Sequence, residues 1–222
     1  LTDYIQSVAE KKSENEVRKT VLHAVVYHLR RYNPNDIQLS RIDKDYILGF
    51  LDYLKTAKQT HTKKEKLLHV NTQVYYYKML RYCLNYAVSE ELISANPMNK
   101  IKNEEKPHKH RTEREYLTID ELRKLAQTPF YNGLLKKAFL FSCFCGLRHS
   151  DIIALTWGDI EMDDDGNFRL YIIQKKTKEA ISLPLSQEAI KQLPKREDAK
   201  EDDIIFKKLI TLGRTNEILP KW

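Results

Sequence analysis

A strongly polar segment near the middle of the chain most constrains what these 222 residues can fold into. Residues 102–115 have the sequence KNEEKPHKHRTERE, which contains no aliphatic side chain. Such a stretch cannot bury apolar surface, so it must be solvated or bound. We therefore expect two domains, residues 1–101 and residues 116–222, joined by a linker over residues 102–115.

The residues before this linker have the composition of an all-helical domain, with a single glycine. Apolar residues recur at helical spacing in three stretches, at residues 13–32, 43–55 and about 71–88. Asp43 has the position of an N-cap. We expect a short fourth helix to end at Asn96-Pro97, since a residue before proline is disfavoured in the α region. Residues 56–69 are polar and basic and indicate a loop.

The residues after the linker change from helical to strand periodicity. Thr118 and Glu121 have the spacing of a capping box. The apolar stretch at residues 131–145 indicates a helix that ends at Gly146. The residues that follow predict a short helix over 150–155, capped by Ser150 or Asp151.

Two alternating stretches, residues 168–174 and 180–185, then predict a β-hairpin around a turn at residues 175–179. Helical patterns resume after Ser186. The fold class expected is mainly α with a small antiparallel β hairpin or sheet.

Composition excludes several classes. Hydrophobic residues make up 41% and charged residues 31%, which argues against a disordered chain. No apolar run approaches the roughly 20 residues of a membrane span. The three cysteines, Cys83, Cys143 and Cys145, lack zinc-site spacing and indicate buried thiols in a reducing compartment.

The net charge is +7, and the first 100 residues hold 16 Lys and Arg against 11 Asp and Glu. This excess is compatible with ordinary solubility, and equally with a phosphate-facing surface in the first half.

Arg148 stands in the segment GLRHSDIIALTWGDI, directly after a glycine and before a predicted helix. A guanidinium held there offers a planar, permanently charged fork that matches two phosphate oxygens. The alternative is local pairing with Asp151 or Asp159. The predicted hairpin turn, QKKTKE at residues 174–179, holds three lysines within four positions, which on its own is also typical of a solvated loop tip.

In this order, the pattern GLR-x-SD-I-x-x-L-x-W-x-D-I, a strand, Q-x-KT and a second strand resembles the tyrosine recombinases, also called phage integrases. The chain is most similar to integrases of conjugative and mobilisable transposons, and the resemblance covers nearly all of it, including NT-x-x-x-YY at residues 71–76. It implies an N-terminal SAM-like helical core-binding domain followed by a partial α+β catalytic domain.

The resemblance also implies a mechanism. A tyrosine hydroxyl attacks the scissile phosphate of duplex DNA, giving a 3′-phosphotyrosine and a free 5′-hydroxyl, with no cofactor or metal. Arg148 would clamp the phosphate and Lys176, which precedes Thr177, would act as general acid, with Lys175 and Lys178 as rivals. Asp151 would steady the loop near Arg148.

The chain departs from the family pattern at one point, because no His-x-x-Arg box and no nucleophilic tyrosine follow Lys176. We expect a C-terminally truncated part of an integrase that binds DNA without cleaving it. Full-length relatives would act as tetramers on paired sites, in the bacterial cytoplasm. The alternatives are a non-catalytic DNA-binding regulator of the same fold, which the presence of Arg148 and Lys176 disfavours, and a helical interaction protein.

The resemblance implies a clamp around DNA, and the cationic side chains of the first half suit it. The start of the helix near Asn71, with its free N–H groups and Thr72, has the chemistry to hold a phosphate. The candidate DNA-binding residues are Lys63, Lys64, Lys66, Thr72, Lys78, Arg81, Lys109 and Arg111. Each is also compatible with an ordinary polar surface. Of the three adjacent tyrosines, Tyr75, Tyr76 and Tyr77, at least one should lie in the core.

Overall fold

The computed structural model describes residues 1–12, 15–60, 66–111, 113 and 115–222. The chain forms two compact units, Leu1–Glu113 and Arg114–Trp222. Most of the polar segment expected to be a linker is therefore grouped with the first unit.

In the first unit the described residues form four α-helices: α1 Thr2–Lys12, α2 Glu16–Tyr32, α3 Lys44–Thr56 and α4 Val70–Ser89. The periodicity located α2, α3 and α4 correctly, whereas α1 was not predicted. Asp43 caps α3 as expected, because its Oδ1 accepts a hydrogen bond from the Tyr46 N–H at 2.8 Å. The helices enclose one core in which the largest fully buried side chains include Ile5, Leu22, Leu29, Phe50, Leu80 and Leu84.

The expectation of a short helix ending at Asn96-Pro97 is wrong. Residues 90–95 form turns and bends, and Pro97–Lys100 form a 3₁₀ helix with Asn96 as its N-cap. The Asn96 side chain accepts from the Met98 N–H at 2.9 Å. A proline in a first helical turn loses no hydrogen bond, so the same dipeptide starts a helix as readily as it ends one.

Over its described part, residues 115–222, the second unit combines five α-helices with a small sheet. Its helices are α5 Ile119–Gln127, α6 Gly133–Cys145, α7 His149–Ile152, α8 Gln187–Ile190 and α9 Leu212–Ile218. The strands are β1 Ile160–Met162, β2 Phe168–Ile173 and β3 Ala180–Pro184, antiparallel in the order β1-β2-β3. Leu170 of β2 is opposite Ile160 and Leu183, and it is fully buried with Phe141 and Phe206.

The predicted hairpin and the capping box are confirmed, since Thr118 and Glu121 exchange the expected hydrogen bonds at the start of α5. The expected cap of α7 is wrong. Arg148 occupies the N-cap position and makes no side-chain cap, while Asp151 bonds elsewhere. The helix is also shorter than expected and ends at Ile152.

The cysteines are not all buried. Cys83 is buried, whereas Cys143 is exposed and Cys145 is half-buried. Cys143 lies two residues after the buried Phe141, which places it on the opposite side of α6. Of the helices that the structure describes, none has the length and apolarity needed to cross a membrane.

Candidate functional site

Arg148 is placed by the end of α6. Gly146 adopts a left-handed conformation with φ +65°, which ends the helix and which glycine accepts without a Cβ penalty. The following Leu147 is buried in the core, and its carbonyl accepts a hydrogen bond from the Ser142 hydroxyl at 2.6 Å. These contacts fix the backbone one residue before Arg148, whose own side chain is exposed.

The side chain of Arg148 reaches the β2–β3 hairpin. Its Nη1 donates a hydrogen bond of 2.8 Å to Oε1 of Gln174, the residue directly after β2. Gln174 is one of the few buried polar residues of this unit. The structure therefore brings the predicted clamp arginine to the base of the turn that carries the predicted lysines.

The turn itself is fixed by backbone bonds. Asp151 of α7 is buried, and its Oδ1 accepts from the Lys175 N–H at 3.0 Å. The Gln174 N–H donates to Glu179 O and the Lys178 N–H donates to Gln174 O, both at 2.9 Å. Lys176 lies inside this closed turn with its side chain exposed.

The alternative of local pairing by Arg148 does not hold. Asp159 accepts from the N–H and the hydroxyl of Thr156 at 2.7 and 2.9 Å, and Asp151 accepts from the Lys175 backbone. In the described part of the chain Arg148 makes no ion pair. The guanidinium is thus held by a neutral amide oxygen and keeps its full charge for an anion.

A cleft of about 620 Å³ opens on the first unit between α2 and α4. It contains three of the predicted DNA-binding residues, Thr72, Lys78 and Lys109. The other lining residues are Thr20, Val21, Ala24, Thr60, Asn71, Val74, Tyr75 and Tyr76. An apolar lining with cationic and hydroxyl groups suits the sugar, base and phosphate surfaces of a nucleic acid.

The N–H groups of Asn71, Thr72 and Gln73 at the start of α4 are not free, contrary to expectation. Nδ1 of His69 accepts from the Asn71 N–H at 3.1 Å, and the His69 carbonyl accepts from Thr72 and Gln73 at 2.8 and 3.2 Å. His69 therefore satisfies three N–H groups of this first turn, and any phosphate contact by Thr72 must use its hydroxyl.

The remaining predicted cations are spread over the unit. Arg81 is half-buried and donates to Asn99 Oδ1 at 3.0 Å, so the structure does not place it in the cleft with Lys78. Lys66 and Arg111 are exposed. Lys63 and Lys64 lie outside the described residues.

Tyr76 and Tyr77 are buried and Tyr75 is partly exposed, which confirms that these tyrosines do not share one environment. Burial raises the pKa of Tyr76. Among the described lining residues of the cleft, Tyr75 has the more exposed aromatic side chain, at 39%, while Tyr76 is buried.

Sequence reasoning misses two residues that organise these surfaces. Gln174 is part of the motif without an assigned role, although its position just before the lysines is a usable signal. Asn71 binds the polar segment by two hydrogen bonds, donating Nδ2–H to His110 O at 3.0 Å and accepting the His110 N–H at 2.9 Å. No sequence pattern distinguishes such a contact over 39 residues.

Glu105 anchors the same segment through an ion pair with Lys44 at 2.7 Å. Residues 102–111 thus pack on the first unit. For metal binding, the described residues contain no group of three or more His, Cys, Asp or Glu side chains suited to an ion.

Solved structures share this fold. A lambda integrase dimer bound to a COC′ core site matches with a TM-score of 0.69 and 20% identity over 96% of this chain. A lambda integrase tetramer bound to a Holliday junction matches with a TM-score of 0.69 and 20% identity over 97% of this chain. The Tn1549 transposon integrase in complex with circular intermediate DNA matches with a TM-score of 0.63 and 14% identity over 86% of this chain. This chain spans 59%, 62% and 61% of those three chains, respectively.

No match is found among curated protein sequences. Two protein families match the chain in succession. Residues 1–106 match the phage integrase SAM-like domain, and residues 115–216 match the phage integrase family. Together the two matches span most of the sequence, and the chain belongs to the phage integrase family, the tyrosine recombinases.

Proposed function

We propose that this chain is the DNA-binding and partial catalytic portion of a site-specific DNA recombinase. The observation that carries the proposal is the bond from Arg148 to Gln174 at 2.8 Å, which joins the candidate phosphate clamp to the lysine-bearing turn. Pure DNA binding needs no such fixed arrangement of an arginine and a lysine-rich hairpin.

In this function Arg148 binds the scissile phosphate. Attack by a tyrosine hydroxyl, which releases its proton to solvent, forms a bond to phosphorus. The bond from phosphorus to the 5′-oxygen breaks, and that oxygen leaves with a proton from Lys176. A fixed guanidinium stabilises the charge that develops on the phosphoryl oxygens without reorganising. Lys176 is the preferred acid, with Lys175 and Lys178 as rivals on the same turn.

The first domain, residues 1–101, binds the duplex in this proposal, assisted by residues 102–115. Lys66, Thr72, Lys78, Lys109 and Arg111 contact the DNA backbone, as do Arg81, Lys63 and Lys64. Further protomers assemble on paired DNA sites, as the lambda integrase tetramer does on a Holliday junction.

DNA binding is tested by fluorescence anisotropy with a labelled duplex of mixed sequence, over a series of salt concentrations. The logarithm of the binding constant falls linearly with the logarithm of the salt concentration, and removing one phosphate-binding cation should lower the magnitude of that slope by about 0.9. The double variant Lys78→Ala/Lys109→Ala should therefore bind more weakly and with a shallower slope. Lys55→Ala is the matched control, because Lys55 is exposed, lies outside the cleft and pairs with Asp52 at 2.6 Å. Absence of binding at low salt would refute the proposal.

Catalysis is tested with a nicked suicide substrate. The 222 residues contain no His-x-x-Arg box or tyrosine after Lys176, so we expect no covalent adduct from them alone. In a recombinase chain that also supplies those groups, Arg148→Ala should abolish the phosphotyrosine adduct, whereas duplex binding should weaken only about tenfold, by the loss of one phosphate contact. A wild-type yield of adduct from that variant would remove Arg148 from the site.

A further inference from the structure

Gln174 occupies a position between the two halves of the candidate catalytic site. Gln174 is only 8% exposed, although it lies directly before a turn, residues 175–179, whose residues are all exposed. Its Oε1 accepts one hydrogen bond from Arg148 Nη1 and another from Thr177 Oγ1, both at 2.8 Å. An amide oxygen has two lone pairs, so this acceptor is saturated.

The chemistry of the acceptor matters for Arg148. A long, exposed arginine loses rotamer freedom when it binds a phosphate, and holding it beforehand reduces that cost. A carboxylate here would also hold the guanidinium, but it would neutralise its charge and compete with the phosphate. The amide engages one of the five N–H donors and leaves the positive charge intact.

The same oxygen also orders the turn. Thr177 follows Lys176 directly, and its hydroxyl is tied to Gln174, while Asp151 holds the backbone of Lys175. A change at Gln174 therefore reaches both Arg148 and the residues flanking Lys176.

We infer that Gln174 is a positioning residue, which orients Arg148 toward a DNA phosphate through a neutral acceptor and sets the turn that carries Lys176. The inference rests on the proposed function. It makes a prediction that distinguishes it from a purely structural role, because glutamate is isosteric with glutamine and keeps an acceptor at the same place.

The test compares Gln174→Ala, Gln174→Glu and Arg148→Ala in the 222-residue chain, with the mixed-sequence duplex as probe. Gln174→Glu should lower duplex affinity about tenfold, as Arg148→Ala does, on the scale of one charge-assisted hydrogen bond. When Arg148 is already replaced by alanine, neither Gln174→Ala nor Gln174→Glu should lower the duplex affinity further. Gln127→Glu, an exposed change at the end of α5, controls for the added negative charge.

A second readout needs no DNA. Side-chain NMR of the labelled guanidinium groups should show restricted rotation for Arg148 in the wild type, retained in Gln174→Glu and absent in Gln174→Ala. Wild-type affinity in Gln174→Glu, or free rotation of Arg148 in the wild type, would overturn the role of Gln174. Failure of the wild-type chain to bind any duplex would instead overturn the proposed function itself.

Discussion

Acidification should destabilise the first unit through one buried histidine. His28 on α2 is 1% exposed and is surrounded by the rings of Tyr27, Tyr53 and Tyr76. Its Nδ1 is 3.3 Å from the Tyr53 hydroxyl, and among the described residues its buried Nε2 has no hydrogen-bond partner. Burial, with a smaller contribution from the charge of Arg31, lowers the pKa of His28 from 6.5 to about 4.

Proton linkage gives the direction and the size of this loss of folding stability. The unfolded chain takes up a proton as the pH falls through 6.5, whereas the folded chain resists protonation until about pH 4. Stability is therefore intact above the unfolded pKa and is lost as the pH falls between these two values. At 1.36 kcal/mol per pKa unit the whole loss is about 3 kcal/mol, of which about 2 kcal/mol is reached by about pH 5.

The assay is urea denaturation at about pH 7.5 and about pH 5. Circular dichroism follows the helices of both units, while tryptophan fluorescence follows the second unit alone, because Trp157 and Trp222 both lie there. His28→Leu removes the titrating group and should remove most of the pH dependence of the free energy of unfolding of the first unit.

His23→Leu is the matched control on the same helix. His23 is exposed and pairs with Glu10 at 3.1 Å, an interaction that contributes little to stability. If the His28→Leu protein loses as much stability on acidification as the wild type, the reasoning from burial is refuted.

Three further predictions concern local structure. Gly146→Ala should lower the free energy of unfolding by about 1 kcal/mol, since φ is +65° there. Gly133→Ala at the other end of α6 should not destabilise, because φ is ordinary and, beyond the neighbouring residues and the helix's own backbone, no atom of the described residues lies within 4 Å of the added Cβ. Both free energies of unfolding are measured by urea denaturation of the second unit, followed by tryptophan fluorescence. Thr118→Ala should cost about 1 kcal/mol by loss of the capping box, and Thr118→Ser should restore it. Asn71→Ala should speed amide hydrogen exchange at His110 about tenfold, and an unchanged rate would show that this bond does not hold the segment.

The parts of the fold that the sequence predicted are those fixed by local interactions. Asp43 and Thr118 cap helices through bonds to residues three positions away, so residue type and spacing suffice. The two hairpin strands could be located from the sequence because the strand-type alternation of their side chains extends over five or six residues. Strand β1 has only three residues, too few to show a period, and it exists because β2 supplies its hydrogen-bond partners.

The candidate site also combines features that depend on local sequence with features that depend on tertiary contacts. The residue types around Arg148 and Lys176 carried the resemblance to the phage integrase family, which the family match over residues 115–216 confirms. Asp151 shows why the geometry of the site could not be predicted in the same way. Locally it is a good helix cap, yet the turn 24 residues later presents a backbone N–H to its carboxylate, and that tertiary bond replaces the cap. The outcome depends on how the hairpin packs against α7, which no local pattern encodes.

Gln174 shows the same dependence on tertiary structure most clearly. From sequence alone it is a polar residue beside three lysines, and such residues are usually solvated. Burial reverses that expectation, because a buried amide oxygen must be satisfied and the available donors are Arg148 and Thr177. The requirement to satisfy one buried acceptor thus orients a cation that is 26 residues away, which ties the proposed chemistry of the site to the folding of the hairpin.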